Sequence, residues 1–261
     1  MSSESGQPQV IWMLPEHTRR GPKPAYSRAE ITAAAIKVAD AEGLDAVSMR
    51  RVAQQIGAGA MSLYRYVPHK SDLLELMIDA VAGEYPASGM PSGDWRADLT
   101  ALARGQRAAV LRHPWMIELA PHSGMGPNTL RVVEATFSAV SVLGVGIDAM
   151  MEIVGQVTAY VTGYVHEELT DDKARRRSGL DREQWFRRQQ PYVQKLIDSG
   201  DYPMLKRIVG EAELPHMDPG ARFERGLSRL LDGITANLPA RPADSGPDAG
   251  TGEITTARQE G

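Results

Sequence analysis

Residues 57–70 read GAGAMSLYRYVPHK. A hydroxyl (Ser62), two phenols (Tyr64 and Tyr66), a guanidinium (Arg65) and an ammonium (Lys70) crowd into this run, with too few apolar groups to build a core. Donors and rings of this kind suit phosphates and the edges of bases. Charge gathers in the same region. Arg19, Arg20, Lys23, Arg28, Lys37, Arg50, Arg51, Arg65 and Lys70 stand against Glu30, Asp40, Glu42 and Asp45, a net +5 over residues 17–70 on a chain whose total is −4. This segregation fits either a polyanionic partner for that segment or chance clustering on a solvated surface.

The elements that must position these groups read as helices. Ser27 with Glu30 makes a capping box, and Ile31, Ala34, Ala35, Val38 and Ala39 follow at helical spacing until Gly43. Ser48 caps a second helix, MRRVAQQI, ending at Gly57. A third spans about 60–67 and is broken by Pro68; Ser71 opens a fourth, DLLELMIDAVA. Helix, tight turn and helix in SMRRVAQQI-GAG-AMSLYRYV have the proportions of a helix-turn-helix, whose second helix enters the DNA major groove. Gly57 provides the positive φ that closes the first helix, and Ala53, Ile56 and Leu63 supply the contact between the two.

YPASGMPSGD (85–94) is a turn-rich linker. Beyond it, helical spacing recurs near 95–111, 115–120, 127–143, 147–169, 182–199, 202–209 and 218–237, with a charged loop expected at 170–181. No stretch alternates with period two long enough for a strand. The expected architecture is all-α. It comprises a flexible basic arm (1–24), a three-helix helix-turn-helix DNA-binding domain (25–84), a larger helical ligand-binding and dimerisation domain (94–238) and a disordered tail (239–261).

Composition bounds the function. With 261 residues, 42% hydrophobic and 24% charged, the chain has the balance of a soluble globular protein. It has no cysteine, so no disulfide, thiolate nucleophile or Cys-based metal site is possible. No apolar run reaches a membrane span, and MSSESGQPQV lacks the charged-then-apolar pattern of a signal peptide, so a cytoplasmic location and no membrane partner are expected. GxSxG, HExxH and a phosphate-cradling glycine loop are all missing, which argues against an enzyme.

SRAEITAAAIKVADAEGLDAVSMRRVAQQIGAGAMSLYRYVPHKSDLLELMIDAV, residues 27–81, closely resembles the N-terminal domain of the TetR family of transcriptional regulators. The resemblance is carried by AAAIKVADAEGLDAVSMRRVAQQIG, by LYRYV and by HKSDLL. WMLPEHTRRGPKPAYSR looks like the arm of actinobacterial members. More weakly, GDWRADLTALARGQRAAVLRHPW and GPNTLRVVEATFSAVSVLGVGIDAMMEIVGQVTAYVTGYVHEEL are similar to helices of the tetracycline-repressor branch.

The resemblance implies a homodimer on double-stranded DNA that answers to a small-molecule effector. It places Met49 and Arg50 at the helix crossing the DNA backbone, Ala60, Met61, Ser62, Tyr64, Arg65 and Tyr66 on the recognition helix, and Lys70 on a phosphate. Arg65 and Tyr66 stand where the tetracycline-repressor branch carries tryptophan and histidine, and Ala60 and Met61 offer only apolar contact, for example to a thymine methyl. Arg19, Arg20 and Lys23 either enter a minor groove, track phosphates or have no DNA role. Candidate effector contacts are His113, Trp115, Met116, Val133, Thr136, Phe137, Val140, Met151 and Val154. Relatives hold a metal through the histidine near position 113, but the other histidines lack ligand spacing, so neither metal nor cofactor is expected. Apolar stripes at Ile147, Met150, Val154, Val157, Val161 and Val165, and at Leu227, Leu230, Leu231 and Ile234, serve either a single-chain core or a bundle between two subunits. The leading reading is an effector-released repressor; a regulator controlled by a protein partner, or a constitutive one, is the alternative.

Overall fold

The computed structural model describes residues 10–15, 25–119, 124–180, 182–212 and 217–238. Among the described residues no strand occurs. The N-terminal unit is α1 (Arg28–Glu42), α2 (Met49–Gln55), α3 (Ala60–Leu63) and α4 (Lys70–Ala82). The larger unit is α5 (Trp95–Arg112), α6 (Met116–Leu119), α7 (Pro127–Ser141), α8 (Ile147–Ser178), α9 (Arg182–Asp198), α10 (Pro203–Glu211) and α11 (Pro219–Ala236).

Local chemistry sets the helix starts in the small unit. Ser27 Oγ accepts from the Glu30 amide at 3.1 Å while the Ser27 amide donates to Glu30 Oε2 at 2.7 Å, so both halves of the capping box form. The Glu30 carboxyl is held below its usual range by those Ser27 bonds. At α4 the cap is His69 rather than Ser71: the His69 amide donates to Asp72 Oδ2 at 3.0 Å, because Pro68 has already ended the previous turn. The regular part of α3 is one turn, Ala60–Leu63, and it continues as a turn to Tyr66. Ile31, Val38, Val52, Leu63, Leu73 and Met77 close a core among the four helices.

That core does not end at the linker. Trp115 and Leu119 from the second unit belong to it, and so does Ile11. Residues 10–15, expected to be part of a mobile arm, therefore pack against the small unit, since Ile11 is fully buried there. Arg19, Arg20 and Lys23 lie outside the described residues, as do residues 239–261.

In the larger unit α5, α7 and α8 pack together and α11 closes over α8. Ile153, Val157, Val161 and Val165 of α8 meet Phe223, Leu227, Leu231 and Ile234 of α11. Much of each stripe is thus consumed within the chain. Tyr160 fastens the same pair by donating to the Phe223 carbonyl at 2.8 Å. Arginines of α5 tie the bundle from its other side: Arg96 to Asp232 at 2.6 Å, Arg104 to Glu224 at 2.7 Å and Arg107 to Glu168 at 2.7 Å. Only the Arg107–Glu168 pair is well shielded from water, and exposed pairs contribute little stability.

Helix α8 also corrects the expected loop at 170–181. TDDKARRRS is helical to Ser178, with Asp172 and Arg175 paired within one turn and three arginines in the last turn, opposite the negative end of the helix dipole. The helix stops only where Gly179 takes φ +66°.

Burial pushes the phenols of Tyr85 and Tyr160 up to about 12. An unfolded tyrosine titrates near 10, so these groups hold their protons more tightly when folded. Their contribution is complete below about pH 10 and is lost as pH rises towards about 12. Urea unfolding at stepped alkaline pH should show stability falling through that window, and the Tyr85→Phe, Tyr160→Phe double variant should flatten the fall.

Candidate nucleic-acid interface and the neighbouring cavity

The turn between α2 and α3 is built to present one face of α3. Ser48 Oγ accepts from the Arg51 amide at 3.2 Å to start α2, and Gly57 takes φ +69° after its end, as a reversal this tight requires. Leu63 and Val67 anchor α3 in the core with no exposed surface. What remains outside is Met61, 79% exposed, and Tyr64, 43% exposed, with Arg65 beside them and Arg50 and Lys70 also exposed. Gln54 and Gln55, at the end of α2, are exposed too and drew no notice in the sequence because glutamine is ordinary on a helix surface.

Other residues expected at DNA have structural duties. Met49 is buried in the core. Ala60 and Tyr66 are half-buried and pack against that core. The Ser62 hydroxyl donates to the Gly59 carbonyl at 2.6 Å, so it enters any phosphate contact already engaged.

A cavity of about 800 Å³ opens between the C-terminal half of α8, the start of α9 and the start of α11. Tyr164, Leu169, Trp185 and Phe186 give it aromatic and aliphatic walls, Glu168 and Arg222 give it charge, and Leu111 and Pro114 close one side. Arg107 holds Glu168 through both guanidinium donors, at 2.9 and 2.7 Å, and lies over the Phe223 ring. Tyr164 donates to the Pro219 carbonyl at 2.8 Å, and burial raises its phenol above the ordinary range.

None of the nine residues expected at an effector lines this cavity. Val140 is buried in the bundle core, Met116 packs between the two cores, and Val154 is half-buried against the second. Phe137 is half-buried and the Thr136 hydroxyl donates back to the Val132 carbonyl at 2.6 Å. Val133 and Met151 face outwards.

His113 and Trp115 turn towards the small unit. His113 Nδ1 lies 2.7 Å from Asp40 Oδ1 and its Nε2 lies 3.3 Å from Glu84 Oε1. Trp115 Nε1 donates to the same Asp40 oxygen at 2.7 Å, and Arg112 pairs with Glu84. With both ring nitrogens beside carboxylates, the imidazole faces α1 and not the cavity. Residues 111–115 therefore divide between two sides: Leu111 and Pro114 border the cavity, while Arg112, His113 and Trp115 grip the unit that carries α3. A second fastening joins α4 to α7, where buried Asp79 accepts from the amides of Asn128 and Thr129 at 2.9 and 2.8 Å. Nothing in the sequence marked Asp40, Glu84 or Asp79, because a lone acid on a helix reads as solvated until its distant partners are placed. Among the described residues no three His, Asp or Glu side chains are grouped to hold a metal ion, and no helix is long and apolar enough to cross a membrane.

A helix-turn-helix with an exposed basic reading face, carried on an all-helical unit with its own cavity, defines a DNA-binding regulator. Comparison with known proteins agrees: residues 31–77 match the bacterial regulatory proteins of the tetR family, and residues 86–238 match the tetracyclin repressor-like C-terminal domain. The chain belongs to the TetR family and is a transcriptional regulator, not an enzyme. It is 36% identical to the HTH-type transcriptional repressor DrrR1 of Streptomyces coeruleorubidus, over 92% of this chain and 88% of that one. It is 33% identical to an HTH-type transcriptional regulator of Saccharopolyspora erythraea, over 90% and 95%. ActR of Streptomyces coelicolor, solved in complex with actinorhodin, superimposes with a TM-score of 0.66 at 25% identity, over 83% of this chain and 98% of that one.

Asp40→Ala should leave two buried donors, Trp115 Nε1 and His113 Nδ1, without their acceptor. The expected cost is about 1–2 kcal/mol in urea unfolding, since water can reach the vacated place, and Asp40→Asn, which keeps one carbonyl oxygen, should lose less.

Proposed function

We propose that this regulator is a repressor that holds a palindromic operator as a homodimer and is released when a small, largely apolar effector enters the cavity beside α8. The observation that carries this reading is the division of residues 111–115 between cavity wall and interdomain grip. An occupant that displaces Leu111 or Pro114 moves His113 and Trp115, and with them Asp40 on α1. A coupling of about 1–3 kcal/mol between the two sites changes DNA affinity roughly 5- to 150-fold.

At the operator, Arg50, Arg65 and Lys70 would meet phosphates or base edges, Tyr64 a phosphate, and Met61 a thymine methyl. Arg19, Arg20 and Lys23 would add phosphate or minor-groove contacts. Two-fold pairing is supported by the outer faces of α8 and α11, where Gly155, Ala159, Gly163, Gly233 and Ala236 are exposed and small enough for close helix approach. The effector class is supported by the aromatic walls of the cavity. ActR is solved in complex with actinorhodin, and a flat aromatic compound with one polar edge would suit Trp185, Phe186 and Arg222 here.

Selection of bound duplexes from a random library should return an inverted repeat with half-sites about one helical turn or a multiple apart. An asymmetric site, or a monomer in sedimentation, would overturn the dimeric reading. On the selected duplex, Lys70→Ala should lower the slope of log K against log salt by about 1, while Met61→Ala keeps that slope and relaxes preference at one base pair. For the effector, actinorhodin is a first probe. It should raise the melting temperature and release the selected duplex, and Leu169→Trp, which narrows the cavity, should weaken both effects.

A further inference from the structure

Residues 10–15 serve neither the reading face nor the cavity, yet they touch both units. Their middle is a single 3-10 turn, Ile11–Met13. Ile11 is buried in the core of α1–α4. Trp12 packs on the rim of that core and extends to the residue that caps α7. A Cβ on Gly126, the cap of α7, would fall 2.5 Å from Trp12 Cζ2 and 2.3 Å from Asp79 Oδ1, so the ring occupies the space that a side chain there would need.

One guanidinium ties this turn to the reading helix. Arg28 Nη1 donates to the carbonyls of Ile11 at 3.2 Å and Leu14 at 2.9 Å, and Nη2 donates to that of Pro15 at 3.3 Å. Its Nε donates to the carbonyl of Tyr66, at the end of the turn that continues α3, at 3.0 Å. The contacts thus run unbroken from α7 through Trp12 and the 3-10 turn to Arg28 and Tyr66.

We infer that residues 10–15 are a strut that sets the angle between the effector unit and the reading helix, with Trp12 and Arg28 as its positioning residues. A plug that only completed the small core would not need its tryptophan to extend as far as Gly126. Among the described residues the Trp12 indole N–H has no hydrogen-bond partner, so packing of the ring holds it, and phenylalanine should substitute. A two-domain regulator whose reading geometry is held only part of the time binds its operator more weakly by that fraction.

The test uses the full chain, which has no native cysteine to interfere with labelling. Spin labels on Gln54→Cys of α2 and Glu152→Cys of α8, both exposed positions, report the angle between units when labelled protein is diluted with unlabelled. The parent should give one narrow distance distribution. Trp12→Ala should broaden it roughly two-fold and Trp12→Phe should restore it. Affinity for the selected duplex should fall about tenfold for Trp12→Ala, with binding to an unselected duplex of equal length unchanged. A parent-like width in Trp12→Ala would overturn the strut. So would broadening that appears only together with lost helical circular dichroism. The distance measurement needs neither operator nor effector, so its outcome is independent of how the regulator is induced.

Discussion

A carboxylate taken out of water must find donors, and Asp79, buried on α4, finds them across the seam between units, where the solvent-facing Asp40 of α1 also receives two buried rings. Asp40 on α1 accepts from Trp115 and lies against His113; Asp79 on α4 accepts from the first amides of α7. The donors to Asp79 come from α7, and the buried His113 and Trp115 find their acceptor on α1, so satisfying these buried groups requires the two units to meet in one arrangement. The placing of α3 depends on that arrangement. A recognition element of a single regular turn has little rigidity of its own and takes its direction from what α1 and α4 are fastened to.

The same seam explains why the cavity lies where it does. The end of α5 and the turn into α6 must satisfy acids on the small unit with Arg112, His113 and Trp115, which leaves Leu111 and Pro114 to face the opposite side. Helix α8 runs past this point to Ser178, so its last turns, with α9 and the start of α11, supply the remaining walls. Binding at that place and gripping the reading unit are tasks of one five-residue run. In such an arrangement a change at one site costs energy at the other, which is what coupling between sites means physically.

Much of the fold was legible from local signals. Ser27 and Glu30, Ser48, Gly57 and Pro68 act within one turn of themselves, so their consequences are nearly independent of the rest of the chain. The expected loop at 170–181 failed for a related reason: a run of charges resembles a solvated loop, but Asp172 and Arg175 pair within a turn and no breaker occurs before Gly179. Of the residues expected at DNA, Met61, Tyr64, Arg65 and Lys70 are exposed, while the core takes up the apolar bodies of Met49 and Tyr66. Which residues border the cavity was not legible, because an apolar residue on α7 or α8 fits a core, a cavity or a second subunit equally well.

By itself, the sequence determined the helices, their caps, the helix-turn-helix and the membership of the TetR family, since each rests on residues near one another in the chain. Only the tertiary structure decided the direction of His113, the docking of residues 10–15, the use of the α8 and α11 stripes and the position of the cavity. Each of those is a choice among partners far apart in sequence. It is settled by which buried polar groups can be satisfied together and which apolar surfaces fit, and local pattern carries no record of either.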